Sequence, residues 1–192
     1  MGFMDIDELR GEVGKVLSAG RFRHTLGVTQ TAAALAEQWE ASGVEAVTAG
    51  LLHDYARELA GEQLLQIAID FGILKLQIEE SYPDLLHGPV AAILAREHFG
   101  ITNDNVLNAI AYHTTGRAGM SKLEKIVYLA DYIEPGRSFP GVKGIRRLAF
   151  VDLDRACLIA LRRTCHYVLR RELPLHIATV EAVNDLLLSA SS

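Results

Sequence analysis

Apolar residues in this chain recur three and four positions apart between closely spaced stop signals, a pattern that points to a stack of helices. Ile6, Leu9, Val13 and Leu17 set this spacing over 5–18, and Val28, Ala32, Leu35, Ala36 and Trp39 line one side of a stretch from Arg21 to about Ala41. Gly20 separates the two, and Ser42-Gly43 ends the second. Val44 to Leu59 reads as a third helix and Glu62 to Phe71 as a fourth, bounded by Gly61 and Gly72. Ile73 to Leu86 is irregular, with a turn at Ser81-Tyr82-Pro83-Asp84. Pro89 suits the first turn of a helix that Gly100 closes. Thr102 is placed to cap a helix from Asn103 to about His113, terminated by Thr114-Thr115-Gly116. Ser121 with Glu124 three residues on forms a capping-box pattern that opens Lys122 to Ile133, and Pro135-Gly136 stops it. A loop of about a dozen residues follows, rich in glycine and basic at Arg137, Lys143, Arg146 and Arg147; it reads as a surface connection or an anion-contacting lid. Asp152 caps a helix from Leu153 to about Arg171. Pro174 opens the last helix, to near Leu188, and the Ser-Ala-Ser-Ser tail should fray.

The expected fold class is therefore all-α, a helical bundle in a single domain over 1–192, a length ample for one buried core. Abundant Ala and Leu with few β-branched runs support this. A net charge of −5 supplies no global positive field, so nucleic acid and anionic membranes are not expected partners. An anionic small molecule would be met by local arginines. Cys157 and Cys165 fall about 12 Å apart along one helix, too far for a disulfide, and read as reduced thiols. No apolar run is long enough to span a bilayer, and Asp5, Asp7, Glu8 and Glu12 make the start unlike a signal peptide. Met-Gly at the front resembles a myristoylation start, but Ile6 stands where Ser or Thr is needed. The cytoplasm is the expected location.

The chemistry centres on Gly50-Leu51-Leu52-His53-Asp54-Tyr55-Ala56-Arg57. Histidine offers a neutral nitrogen and aspartate a charged oxygen, a pair suited to a transition metal. Neighbours on a helix point about 100° apart, so both reach one ion only near a helix end or junction. His24, His53, His87 and His113 each fall in the first turns or at an end of an expected helix, and Asp131 lies near the end of another. Ends of several helices can converge on one point. His98, His166 and His176 are not members of the set. Arg21 and Arg57 lie near His24 and Asp54 in sequence, and Arg137 follows Asp131 beyond a Pro-Gly turn; guanidinium groups bind phosphate through paired donors. Thr114-Thr115-Gly116 offers hydroxyls and backbone donors for the same purpose. No cysteine joins the set, which argues against a structural zinc site.

The order His…His-Asp…His…His…Asp resembles the HD-domain metal-dependent phosphohydrolases. Five blocks narrow the resemblance: Arg21-Phe22-Arg23-His24-Thr25-Leu26-Gly27-Val28, the His53-Asp54 block with Arg57-Glu58, Leu85-Leu86-His87-Gly88-Pro89-Val90, Ile110-Ala111-Tyr112-His113-Thr114-Thr115-Gly116-Arg117, and Leu129-Ala130-Asp131-Tyr132-Ile133-Glu134-Pro135-Gly136-Arg137. Together they are similar to the YqeK-type bacterial family of symmetrical bis(5'-nucleosyl)-tetraphosphatases, over a core of about 21–184. The resemblance implies hydrolysis of diadenosine tetraphosphate to two ADP. It implies one or two metal ions, iron first with manganese, cobalt or zinc as alternatives, held by His24, His53, Asp54 and Asp131. It places His87 and His113 beside the metal, contacting phosphate, completing a second metal site or moving protons, with Asp54 in the catalytic set. Arg21, Arg57, Arg137 and Thr179 would join His87 and His113 in contacting substrate. The last block departs from the family pattern: His176-Ile177-Ala178-Thr179 and Val183-Asn184 lack its proline and arginine.

Two other readings are weighed beside this one. Another HD-type activity, on nucleoside mono-, di- or triphosphates, would use the same centre in a different pocket. A regulator that binds metal and nucleotide with little turnover would show saturable binding without product. A homodimer is left open.

Overall fold

Eleven α-helices and one 3-10 turn, with no strand among them, make up the described residues, 5–189, of the computed structural model. The Met-Gly start and the tail beyond Ser189, for which fraying is expected, lie outside these residues. In order they are α1 (Ile6–Val16), α2 (Ala19–Gln38), α3 (Gly43–Leu52), α4 (Gly61–Asp70), α5 (Gln77–Ser81), the 3-10 turn Pro83–Leu86, α6 (His87–Phe99), α7 (Asp104–Ala111), α8 (Lys122–Ile133), α9 (Val142–Ala149), α10 (Leu153–Arg170) and α11 (Ile177–Ser189). Among the described residues, no helix is long and apolar enough to cross a membrane.

Helices α2, α3 and α8 pack on one another, α7 closes against α3 and α8, and α6 pairs with α7. On the far side α10 joins α8 to α9 and α11. Leu35, Leu51, Leu52, Ile110, Ile126, Leu129 and Leu161 are fully buried, so α2, α3, α7, α8 and α10 share one core. Two glycines set how closely its elements approach. A Cβ at Gly50 would stand 3.0 Å from the Thr29 Cα, so α3 lies almost backbone to backbone on α2. A Cβ at Gly88 would meet the Ala111 carbonyl oxygen at 2.7 Å, so the start of α6 is pressed on the end of α7. These approaches draw the histidine-bearing helix ends together.

Local signals are satisfied as read at three sites. The Glu124 amide donates to Ser121 Oγ at 3.2 Å, and Glu124 Oε2 accepts the Ser121 amide at 2.7 Å. Gly100 ends α6 with a left-handed φ of 66°. Asp152 accepts the Arg155 amide at the head of α10.

Elsewhere the boundaries differ, for physical reasons. Ser18 caps α2, so Gly20 sits inside its first turn and breaks nothing. Ser42 begins α3 by accepting the Glu45 amide; α2 has already ended at Gln38, with Trp39 Nε1 pinned to the Ala149 carbonyl. Helix α3 stops at Leu52 instead of running to Leu59, because the chain tightens into three-residue turns such as Tyr55 to Leu52 and Arg57 to Asp54. Asn103, not Thr102, caps α7, which ends at Ala111 and leaves His113 in the following turn. The irregular stretch holds α5, whose first turn is tied by Glu79 Oε2 accepting the Lys75 and Leu76 amides. The expected basic loop contains α9, and the last helix starts at Ile177 instead of Pro174. Cys157 is buried and both cysteines are free.

Candidate metal centre

The centre is built where five elements end or begin. His24 lies in the second turn of α2, His53 directly follows α3 with Asp54 next to it, His87 opens α6, His113 stands two residues past α7, and Asp131 is in the last turn of α8. Three of the rings are fixed by backbone carbonyls three residues back, at or near helix ends. His53 Nδ1 donates to the Gly50 carbonyl at 2.8 Å, His87 Nδ1 to that of Asp84 at 2.5 Å, and His113 Nδ1 to that of Ile110 at 2.7 Å. A carbonyl can only accept, so each Nδ1 carries a proton and each Nε2 points inward, where the neutral ring offers a lone pair.

Those lone pairs meet the two aspartates. Asp54 Oδ2 lies 3.3 Å from His53 Nε2 and 3.7 Å from His24 Nε2, while Oδ1 lies 3.4 Å from His87 Nε2 and 3.7 Å from His113 Nε2. His24 Nε2 is 3.0 Å from Asp131 Oδ1. Ligand atoms of His24, His53 and Asp131 all lie within 4.8 Å of one another, and so do those of His53, Asp54 and His113. The two triads share His53. His24 Nε2 and His53 Nε2 are buried with no hydrogen-bond partner. Buried polar atoms are rarely left so, and a cation is the partner that satisfies a converging set of imidazole lone pairs and carboxylates.

Next to the second triad, His87 Nε2 lies 3.1 Å from His113 Nε2, with Thr114 Oγ1 3.1 Å from both. Two lone pairs so close repel unless a proton or a metal intervenes. Burial, reinforced by His53 and His87, lowers the His113 pKa to about 3. Burial alone would push the carboxyls of Asp54 and Asp131 up. The adjacent histidines overcome it at both, with Arg137 adding to the effect at Asp131, and hold the two groups well below the usual carboxylate range. Two arginines complete the charge pattern. Arg21 donates to Asp54 Oδ2 at 2.8 Å, and Arg137 grips the Asp131 carbonyl at 2.9 Å and Oδ1 at 2.5 Å. Both side chains remain partly open, at 31% and 40% exposure. A cleft of ≈ 670 Å³ runs past His24, lined by Arg23, Gln30, Glu134 and Gly136 among others.

Most of the residues singled out in the sequence meet here: His24, His53, Asp54, His87, His113, Asp131, Arg21 and Arg137. Arg57 turns away to pair with the exposed Asp84 at 3.4 Å. Thr179 is buried in the first turn of α11, its amide bonded to the His176 carbonyl, and it makes no hydrogen bond to the cluster. His98 is exposed beside Tyr55, and His176 pairs with Glu79 at 3.5 Å, so neither joins the centre. Of the basic residues in the expected loop, Arg146 is spent on structure, donating to the carbonyls of Ile133, Glu134 and Arg137. Reading residue by residue missed Glu134, whose Oε1 is 3.1 Å from His24 Nδ1. The available signal was its place one turn after Asp131, before the Pro-Gly stop.

Comparison with known proteins agrees with this geometry. The chain is 38% identical to the symmetrical bis(5'-nucleosyl)-tetraphosphatase of Bacillus subtilis strain 168, over 95% of this chain and 98% of that one. It is 42% identical to the protein of the same description from Halalkalibacterium halodurans, over 90% and 91% respectively. The crystal structure of a Clostridium acetobutylicum protein, described as a predicted HD superfamily hydrolase involved in NAD metabolism, superposes with a TM-score of 0.94 at 40% identity, covering 98% of this chain and all of that one. The HD domain family model matches residues 21–136, a span that holds all six clustered histidines and aspartates, and the chain belongs to the HD domain family.

Proposed function

We propose that this chain is a metal-dependent symmetrical bis(5'-nucleosyl)-tetraphosphatase that hydrolyses diadenosine tetraphosphate to two ADP. The observation that carries the reading is the pair of histidine–aspartate triads that share His53, with the buried Nε2 atoms of His24 and His53 left without a hydrogen bond. Relatives matching nearly the whole chain carry that activity in their descriptions. His24, His53, Asp54 and Asp131 would hold the metal; the nitrogen and oxygen donors suit iron, manganese, cobalt or zinc, and the family resemblance puts iron first. A divalent metal held there would polarise a phosphoryl oxygen and make water nucleophilic near neutral pH.

The side chains around it then divide the remaining work. Arg21 and Arg137 each keep donors beyond those spent on Asp54 and Asp131, and present them at the open side for phosphate oxygens. Water attacks one of the two central phosphoryl groups, the central anhydride bond breaks, and the bridging oxygen leaves on the other ADP. His87 and His113, with Thr114 between them, lie on the opposite side of Asp54 and suit proton transfer to or from the reacting groups. The cleft past His24 is of a size to take one nucleotide half. All of 1–192 acts as one HD unit in this reading, with the cytoplasm as its place of work and Arg57 and Thr179 outside the substrate contacts.

The test is anaerobic purification with metal analysis, then incubation with diadenosine tetraphosphate and chromatography of the products. Near-stoichiometric metal and ADP as sole product are expected. ATP plus AMP would indicate asymmetric cleavage. Metal with no product would favour another nucleotide or a regulator, and no metal with no activity after iron or manganese is returned would sink the reading.

A further inference from the structure

Gly27 occupies the interior of α2, a place where glycine weakens a helix relative to alanine. A Cβ there would stand 2.7 Å from Glu134 Oε2, and a Cβ at Gly136 would stand 2.9 and 3.0 Å from the two Glu134 carboxylate oxygens. The two glycines form a slot, and the Glu134 side chain fills it at 7% exposure. Within the slot Oε2 accepts the Gly136 amide at 2.5 Å, and Oε1 lies 3.1 Å from His24 Nδ1. Arg146 braces the same turn through the Glu134 carbonyl at 2.7 Å.

The other three histidines of the cluster use carbonyls three residues back, within reach because those rings sit at or just past helix ends. His24 lies within α2, where carbonyls are engaged in the helix, so its Nδ1 needs a partner from another element. We infer that Glu134 is a positioning residue for the metal: it fixes the ring and tautomer of His24 so that Nε2 faces Asp54 and Asp131, and Gly27 is a glycine to leave room for that carboxylate. A carboxylate behind an imidazole also makes it a more basic ligand than a carbonyl does. The inference rests on His24 being a metal ligand.

Metal affinity is the readout, measured by chelator competition for Mn²⁺ on the full chain after stripping, with circular dichroism and melting to establish folding. Glu134→Ala is expected to weaken binding about 10–100-fold. Glu134→Gln should fall between it and the wild type, since an amide oxygen still accepts from Nδ1 but without the charge. Gly27→Ala should weaken binding by itself, by displacing the carboxylate, yet add little in the Glu134→Ala background, where the clash is gone. A folded Glu134→Ala protein with wild-type affinity overturns the inference, as do fully additive losses from the two changes. If the alanine variant does not fold, Glu134→Gln decides: reduced affinity supports the inference and unchanged affinity overturns it. Failure of the wild type to take up any transition metal is a different outcome, which removes the metal-centre reading and this inference with it.

Discussion

The two sides of the cluster are held in place by different means. On one side His53, His87 and His113 are locked by backbone carbonyls of their own segments, so their orientation follows once three helix ends form. On the other side His24 and Asp131 are held by side chains: His24 by Glu134, 110 residues away in sequence, and Asp131 by Arg137, six residues further along. Backbone anchoring resists substitution because any residue supplies a carbonyl, whereas side-chain anchoring is erased by one replacement. The carbonyl-held side should therefore tolerate changes around it better than the side held by Glu134 and Arg137.

Asp54 faces both sides, and its loss should have the largest effect. Asp54→Ala should abolish metal binding and lower turnover by about a thousandfold or more, the scale of several kcal/mol of charge stabilisation, while the far-ultraviolet spectrum stays helical. Retained metal stoichiometry would break the assignment of the shared centre. Next comes His113→Gln, expected to reduce kcat by about 10²–10⁴ if the His87–His113 pair moves protons, with metal at the His24 side retained. Loss of metal from this variant would instead place His113 among the ligands.

The same residue gives the metal-free protein a pH signature. His113 is held neutral down to about pH 3 when folded, but takes up a proton near its ordinary pKa of 6.5 when unfolded. The unfolded state therefore binds more protons between those values, and this group's contribution to stability shrinks as pH falls from about 6.5 towards 3. Melting of the stripped protein should fall across that window, and less steeply in His113→Gln. Equal slopes would show that the ring is not buried as described.

Smaller effects separate the two anchoring modes. Arg137→Ala should raise KM more than it lowers kcat, by roughly tenfold, the worth of a charge-assisted hydrogen bond to phosphate. A pure kcat loss with altered metal content would show that Arg137 serves Asp131 alone. Gly88→Ala should destabilise by about 1–3 kcal/mol in urea titration, because its Cβ would push α6 from the Ala111 carbonyl 2.7 Å away. Wild-type stability in this variant would mean that the close approach of α6 and α7 does not set the spacing of His87 and His113.

What was legible in the sequence depended on range. The Ser121–Glu124 box, the Gly100 stop and the Asp152 cap were readable because each involves neighbours within one turn. The end of α3 at Leu52 was not, since no glycine or proline marks it and only the turns after His53 show it. Helices α5 and α9 were hidden by their shortness, and α9 also by glycines that read as loop. The histidines and aspartates of the centre stood out through residue type and family resemblance. Arg57 looked equally suited to phosphate, but Asp84 claims it through a fold that local spacing does not reveal. Glu134 escaped for the same reason, as its partners Gly27 and His24 lie on a helix from the other end of the family span.

Arg146 carries a consequence for how this molecule can be divided. It lies on α9, outside the span that bears the family signature, yet it ties off three carbonyls at the turn from which Glu134 and Arg137 reach the centre. Trp39 is fastened to the end of the same helix through the Ala149 carbonyl. The hereditary unit recognised by its motif and the mechanical unit that can stand alone are thus not the same length. A fragment cut at Gly136 would keep all six clustered histidines and aspartates and lose the strut that keeps them aimed.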